Sequence, residues 1–437
     1  MSLTPAELLR QLIRFRTVNP PGDEKDCILF LKELVSKIPC EITILSNDNS
    51  RPNLICRLKG NNSKSPLLLY GHVDVVPVEG QSWKHDPFAG ELINGYIWGR
   101  GALDMKGGIA MLVSAFLRIA ENKIPLNGDL ILVLLADEEA GGDFGAKFLV
   151  EKHPDIFKNV KYAIGEFGGF SFYIGKKKFY PIMLAEKQVC WLTLKVTGPG
   201  GHGSLPVKNG AMAKTGKILT TLNKKQLPVH ITPIAKSMIQ YIAKHLSFPK
   251  NILIRLLLFK PLTDFILKIF GNKGDIFKPI LHNTINATIF KGGSKINVIP
   301  SEVEISLDGR ILPGLTKEDF ISELNGLISD EADKIEIVRY EPGPKTSTND
   351  LFPMLSTILK EMDPNGIPIP LLMSGVTDGR HFAKLGIQTY GFLPMQLPDE
   401  LHFTKLVHAA DERIPADTLE FGTEGIYRAI VRYQGDI

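Results

Sequence analysis

Three consecutive carboxylates, Asp137, Glu138 and Glu139, follow directly on the apolar run Leu130 to Leu135. Adjacent acids repel one another, so without compensation at least one of them keeps its proton. A bound cation is the commonest compensation. The competing reading is that the acids merely open a helix, where they complement the macrodipole. Groups of the same kind recur at equivalent places in the pattern. The apolar run Pro66–Tyr70 ends in Gly71-His72-Val73-Asp74, and the run Tyr162–Gly165 ends in Glu166. His72, Glu138, Glu139 and Glu166 therefore each stand just past the end of a predicted strand. In open sheets of parallel strands, ligands bind outside the carboxyl ends. Four potential ligands at one sheet edge are hard to produce by accident.

The elements that must position these groups alternate short apolar strands with helical segments, which predicts an α/β domain with a largely parallel, helix-flanked sheet. Thr4-Pro5-Ala6-Glu7 matches a capping box with proline at the first helical position. Asn19-Pro20-Pro21-Gly22 stops that helix. A second helix is expected over about Glu24 to Lys37, then strands at Glu41–Leu45 and Asn53–Leu58. Asn94-Gly95 marks a hairpin, and GRGALDMKGG (Gly99–Gly108) opens a helix. From about Lys187 the character changes. A strand near Cys190–Val196, the glycine-rich GPGGHGSLP, a helix over Asn209 to Leu222, strands near Asn283–Phe290 and Glu302–Leu307, a helix from Lys317 and a strand near Ile335–Arg339 describe an α+β insertion. Pro342-Gly343-Pro344 reads as a linker. A helix near Leu351–Met362, a strand near Thr389–Leu393 and a helix from Pro415 would complete the first domain. The expected division is 1–186, 187–341 and 342–437.

Composition limits the function classes. A chain of 437 residues with 44% hydrophobic and 22% charged residues is an ordinary globular protein of about two domains. A net charge of +4 does not argue for nucleic acid. Cys27, Cys40, Cys56 and Cys190 form no CxxC pair, which fits reduced cytoplasmic thiols. The first residues lack the basic and apolar regions of a signal peptide. The apolar stretch Ile252 to Phe270 contains Arg255, Lys260, Pro261, Asp264 and Lys268, too many interruptions for a membrane span. It reads as one or two amphipathic helices, near 247–270, serving as domain core or as a dimer contact.

Six motifs occur in order: GHVDVVP (Gly71–Pro77), GRGALDMKGG, ADEEAGG (Ala136–Gly142), IGEFGG (Ile164–Gly169), GHGSLP (Gly201–Pro206) and VHAADERIP (Val407–Pro415). With them the chain resembles the co-catalytic zinc metallopeptidases and deacylases, which include aminoacylase, acetylornithine deacetylase, succinyl-diaminopimelate desuccinylase and glutamate carboxypeptidase. AEKQVCW (Ala185–Trp191), the apolar stretch Ser247–Leu262, NTINATIFKGGSKINVIPSE (Asn283–Glu302) and SGVTDGRHF (Ser374–Phe382) bring it nearest the carboxypeptidase S and N-acyl amino acid hydrolase branch.

The resemblance implies two divalent ions per chain, zinc foremost, with cobalt or manganese also suited to imidazole and carboxylate. Asp104 would bridge them, His72 and Glu166 would complete one ligand set, and Glu139 with His408 the other. Asp74 would fix the His72 tautomer. Glu138 would be the general base of an amide hydrolysis. His202 would donate to the oxyanion, from the neighbouring subunit in dimeric relatives. Arg310 would hold a substrate carboxylate, and Asn297, Ser374, Gly375 and Thr377 would add polar contacts. The insertion would be a lid and dimerisation domain, and the substrate a peptide or N-acyl amino acid.

Plainer readings exist for single residues. His72 could be a core histidine satisfied by Asp74, Asp104 a helix cap, Glu166 and His202 turn residues, and Arg310 half of a surface ion pair. His408 competes with His402, Glu400 and His381. For the whole chain, the other readings are a biosynthetic deacylase and a catalytically inactive binding protein on the same fold. A serine esterase would need a GxSxG elbow, which is absent.

Overall fold

The computed structural model describes residues 3–271, 274–328, 331–343 and 349–435. Contacts divide the chain into two compact units: residues 1–184, 347–371 and 377–437, and residues 185–346 with 372–376. Pro344 of the expected linker lies outside the described residues.

The first unit is built on a mixed sheet. Its strands run in the spatial order Glu41–Leu45, Asn53–Leu58, Leu130–Leu135, Leu67–His72, Tyr162–Gly165, Gln388–Gly391, Lys177–Glu186 and Gly366–Met373. The four middle strands, from Leu130–Leu135 to Gln388–Gly391, pair in parallel. Leu130–Leu135 and Leu67–His72 are buried at every position, as strands covered on both faces must be. On one face Ala146, Leu149, Phe157 and Phe382 pack against Leu68, Tyr70, Ile131 and Val133. The helix Lys106–Glu121 packs against the C-terminal helix Asp417–Gln434 and against the first helix, Pro5–Arg14. That first helix carries its full capping box: Thr4 Oγ1 accepts from Glu7 N, and Thr4 N donates to Glu7 Oε2.

GRGALDMKGG opens a helix from its last three residues. The helix begins only at Lys106, and the glycines before it form a turn. Gly99 (φ 153°) and Gly101 (φ 88°) hold backbone conformations that side chains disfavour. The acids Glu138 and Glu139 open no more than a single helical turn, Glu138–Ala140. The strands Lys177–Glu186 and Gly366–Met373 were not expected from the sequence. Lysines and Pro181 obscure the first, while Pro368 and Pro370 argue against the second as a sheet strand. A strand at the sheet margin tolerates proline, and Gly366–Met373 occupies that margin.

The second unit holds a four-stranded antiparallel sheet in the order Thr284–Gly292, Glu302–Ile311, Gln188–Thr197, Lys334–Glu341. Leu192, Leu194, Ile305 and Leu307 meet Ile218, Phe320 and Leu324 of the helices Ala211–Lys224 and Lys317–Ile328 on one face. A helical subassembly interrupts it: Pro233–His245, Lys250–Leu256, Lys260–Phe270 and Lys278–Leu281. The apolar stretch thus forms two helices, with Pro261 in the first turn of the second. No helix among the described residues is long and apolar enough to cross a membrane.

Candidate active site

The first unit brings His72, Asp74, Asp104, Glu138, Glu139, Glu166 and His408 together outside the carboxyl ends of the parallel strands. His72 ends its own strand, Glu166 follows Gly165, and Glu138 and Glu139 follow Leu135 by a short turn. His72 and Glu166 are buried, while the His408 side chain is half exposed.

Asp104 stands between two imidazoles and meets each with a different oxygen. His72 Nε2 is 3.3 Å from Asp104 Oδ1 and 3.4 Å from Glu166 Oε2. His408 Nε2 is 3.2 Å from Asp104 Oδ2 and 3.3 Å from Glu139 Oε2. Two ligands held at about 2.0–2.1 Å by a tetrahedral ion stand about 3.3 Å apart. These separations fit donors converging on a shared cation better than direct hydrogen bonds. His72 Nε2, Glu139 Oε1 and Glu166 Oε1 are buried without any hydrogen-bond partner, a cost that an ion would remove. Among the described residues, His72 with Asp104 and Glu139, and His72 with Glu138 and Glu166, form clusters close enough to hold a metal ion.

The His72 ring is oriented for this. Its Nδ1 lies 3.0 Å from the backbone carbonyl of Asp74, which can only accept, so Nδ1 carries the proton and Nε2 presents a lone pair. The Asp74 carboxylate is further away, its Oδ1 3.5 Å from the ring. That carboxylate instead accepts the backbone N–H of Glu138 (3.1 Å) and of Glu139 (3.1 Å), and Asn19 Nδ2 at 2.9 Å. Asp74 therefore shapes the acidic turn as well as steering the histidine.

Asp137 serves the same turn. It is buried in a left-handed backbone conformation (φ 69°), which aspartate tolerates better than most residues. Its oxygens accept from Phe144 N and Asn19 Nδ2, and Arg51 Nη1 is 3.0 Å away. Arg51 in turn forks onto buried Glu24.

The loop carrying Asp104 is tied to the loop carrying His408 by Glu412. Fully buried, Glu412 accepts from Leu103 N (2.7 Å), Asp104 N (3.2 Å) and Gly101 N (3.2 Å), and pairs with Arg100 Nη1 at 2.7 Å. Arg100 and Gln81 also donate to the His408 carbonyl. His408 holds φ 63°, and these bonds offset the strain of that conformation.

Electrostatics reflect carboxylates crowded out of water. Burial, with the charge of Glu166, pushes the Glu138 carboxyl well above its usual range against the pull of His72 and Arg380. Burial and the Asp104 charge push Glu139 up to about 7. Burial alone would depress His72, but Glu166, Asp104 and Asp74 outweigh it and raise the ring well above normal. The carboxylates of Asp104 and Glu139 beside its Nε2 raise His408 to about 10 against its burial. Burial opposes ionisation of Asp104, yet His408 and His72 hold it well below the usual carboxylate range. A cation would resolve this pattern by its charge.

Four neighbours of these groups escaped sequence reasoning: Arg380, Asp378, Glu412 and Asn19. Arg380 Nη1 lies 3.2 Å from Glu138 Oε1. Asp378 is buried with neither carboxylate oxygen hydrogen-bonded. A small pocket of about 10 Å³ beside Asp104 and Glu166 is lined by Phe167, Phe170 and Phe403, with Phe170 and Phe403 stacked at 4.0 Å.

The other expected substrate contacts are distributed differently. Thr377 is fully buried; its Oγ1 accepts from Gly379 N and its carbonyl from Arg380. His202, Asn297, Arg310, Ser374 and Gly375 belong to the second unit. There His202 Nδ1 accepts from Ser204 N, which leaves the proton of the neutral ring on Nε2. Asn297 is exposed, and its carbonyl accepts from Gly203 N. Ser374 is exposed and Gly375 half-buried. Arg310 forks onto Asp308, with Nε at 2.8 Å and Nη2 at 3.1 Å.

The profile of peptidase family M20/M25/M40 matches residues 68–432. A probable carboxypeptidase S-like protein of Dictyostelium discoideum is 30% identical over 83% of this chain and 70% of its own. An N-fatty-acyl-amino acid synthase/hydrolase of Mus musculus is 28% identical over 84% of this chain and 74% of its own. The crystal structure of an M20 family metallo-carboxypeptidase from Sulfolobus solfataricus superposes with a TM-score of 0.71 at 20% identity, covering 98% of both chains.

Proposed function

The chain belongs to peptidase family M20/M25/M40 and is a hydrolytic enzyme, and from that premise we propose that it cleaves an amide bond in peptides or N-acyl amino acids bearing a free carboxylate, with two divalent ions. The observation that carries this reading is Asp104 facing His72 with one oxygen and His408 with the other. His72, Asp104 and Glu166 would hold one ion, and Asp104, Glu139 and His408 the second, both zinc. When bound, such ions polarise a carbonyl and acidify water.

The remaining steps belong to side chains. Glu138 accepts the proton of the attacking water and delivers it to the departing amine nitrogen, help worth about a hundred- to ten-thousandfold. Arg380 favours the ionised form that this role requires. Nε2 of His202 donates to the developing oxyanion from the partner subunit of a homodimer assembled through the second unit. The exposed Ile289 and Phe290 on the marginal strand Thr284–Gly292 support that assembly. Arg310 exchanges part of its pairing with Asp308 for the substrate carboxylate. Four unpaired cysteines support a cytoplasmic setting.

A panel of dipeptides, N-acyl amino acids and N-succinyl-diaminopimelate, assayed with zinc, tests the reading. Hydrolysis of the first two classes is expected. Turnover confined to the succinylated substrate would replace it with the biosynthetic deacylase.

A further inference from the structure

The helical subassembly of the second unit exposes apolar surface that its own core does not need. Inside it, Ile239, Ile242, Leu257, Ile266, Leu267 and Leu281 are buried. Outside, Phe248 is 77% exposed, Phe265 60%, Phe259 56% and Ile269 55%. In the helix Lys260–Phe270, Thr263, Ile266 and Leu267 form the inward face. Leu262, Phe265 and Ile269, at spacings of three and four, form a second apolar stripe on another face. Lys268 borders that stripe, and Lys260 stands in the first turn of the same helix. Large aromatic and aliphatic side chains left in water beside each other mark an interaction surface.

Charge identifies the partner. Between Lys244 and Lys278 the sequence carries seven lysines and arginines against two aspartates, more net positive charge than the +4 of the whole chain. Both aspartates are engaged: Asp264 lies 3.1 Å from His282 Nε2, and Asp275 pairs with Lys278 at 2.7 Å. Lys250, Arg255, Lys260 and Lys268 make no ion pair among the described residues. A second copy of this chain would bring the same positive charge against itself. A nucleic-acid duplex, which presents its phosphates outward and keeps its bases stacked, would leave the phenylalanines in water.

We propose that this subassembly docks on an anionic lipid bilayer surface, burying Phe248, Phe259, Phe265 and Ile269 at the acyl boundary while the lysines and Arg255 meet the headgroups. This docking is independent of which amide the enzyme cleaves.

The test is co-sedimentation of the full-length protein with vesicles of phosphatidylcholine alone and of phosphatidylcholine mixed with phosphatidylserine. Binding to the mixed vesicles, none to phosphatidylcholine alone, and release by added salt are expected. Lys260→Gln with Lys268→Gln should weaken partitioning about thirtyfold, two headgroup contacts being removed. Phe265→Ser with Ile269→Ser should weaken it at least as much. Both variants should keep wild-type hydrolysis of a soluble substrate, which separates lost docking from lost folding. Equal binding to both vesicle types, or none to either, overturns the proposal. So does unchanged lipid binding in both variants, and so does a variant that turns a dimer into a monomer in analytical ultracentrifugation, which would make the face a subunit contact.

Discussion

Arg380 reaches the Glu138 carboxylate, its Nη1 3.2 Å from Oε1, across 242 residues of sequence. Burial opposes the ionisation of Glu138, and Arg380 is among the charges that counter it. A base must be ionised to act, so this contact bears directly on the proposed mechanism. Thr377 fixes the arginine in turn, accepting from the same nitrogen at 2.6 Å.

Replacing Arg380 with methionine should therefore raise the pKa of Glu138, because a charge that favours the carboxylate is removed. The acidic limb of the kcat/KM profile then moves up by about 1 to 3 pH units, while metal content stays at the wild-type level. An unmoved limb with lower activity at every pH would assign Arg380 to substrate binding instead.

The buried Arg100–Glu412 pair joins the Asp104 loop to the His408 loop. Glu412→Ala leaves Arg100 buried without its carboxylate and should cost about 3–5 kcal/mol of stability. It should also weaken binding of the His408-side ion by about ten- to a hundredfold, as loss of the groups that orient ligands does. Adding Arg100→Leu should recover part of the stability, since no unpaired charge remains, without recovering metal affinity. Thermal melts and competitive metal titration measure the two effects separately.

Asp137 carries no proposed chemistry, and its contacts make a different prediction from those of its neighbours. Asp137→Ala removes the acceptor of Phe144 N and a charge partner of Arg51. Loss of about 3 kcal/mol is expected, with kcat of the surviving folded enzyme within a few-fold of wild type. Asp137→Asn, which keeps the acceptor and tolerates the left-handed backbone, should lose less. A collapse of kcat without a fall in melting temperature would give Asp137 a catalytic part.

The fold was legible where the chain speaks locally. Leu130–Leu135, Tyr162–Gly165, Glu41–Leu45 and Asn53–Leu58 are short strand-like runs, and they fold over those same residues. Lys177–Glu186 and Gly366–Met373 were hidden because lysine and proline at a strand's start or at a sheet margin look like loop. For the site, strand ends announced His72, Glu138, Glu139 and Glu166. Arg380, Asp378, Glu412, Arg51 and Asn19 were silent because nothing in their own neighbourhood requires them. Their partners lie far along the chain, and only the fold introduces them. Asp74 shows the intermediate case. Its place beside His72 is local and readable, whereas its grip on the backbone of Glu138 and Glu139 is tertiary.

In the proposed mechanism Glu138 and Glu139, adjacent in sequence, divide the work of base and ligand, although Glu138 also lies within ligand distance of His72 and Glu166. Metal analysis of purified Glu138→Gln alongside its turnover tests this most directly. About two divalent ions per chain, as in the wild type, with kcat down about a hundred- to ten-thousandfold, is the predicted result. Loss of an ion from Glu138→Gln, with Glu139→Gln retaining both, would contradict it and exchange the two roles.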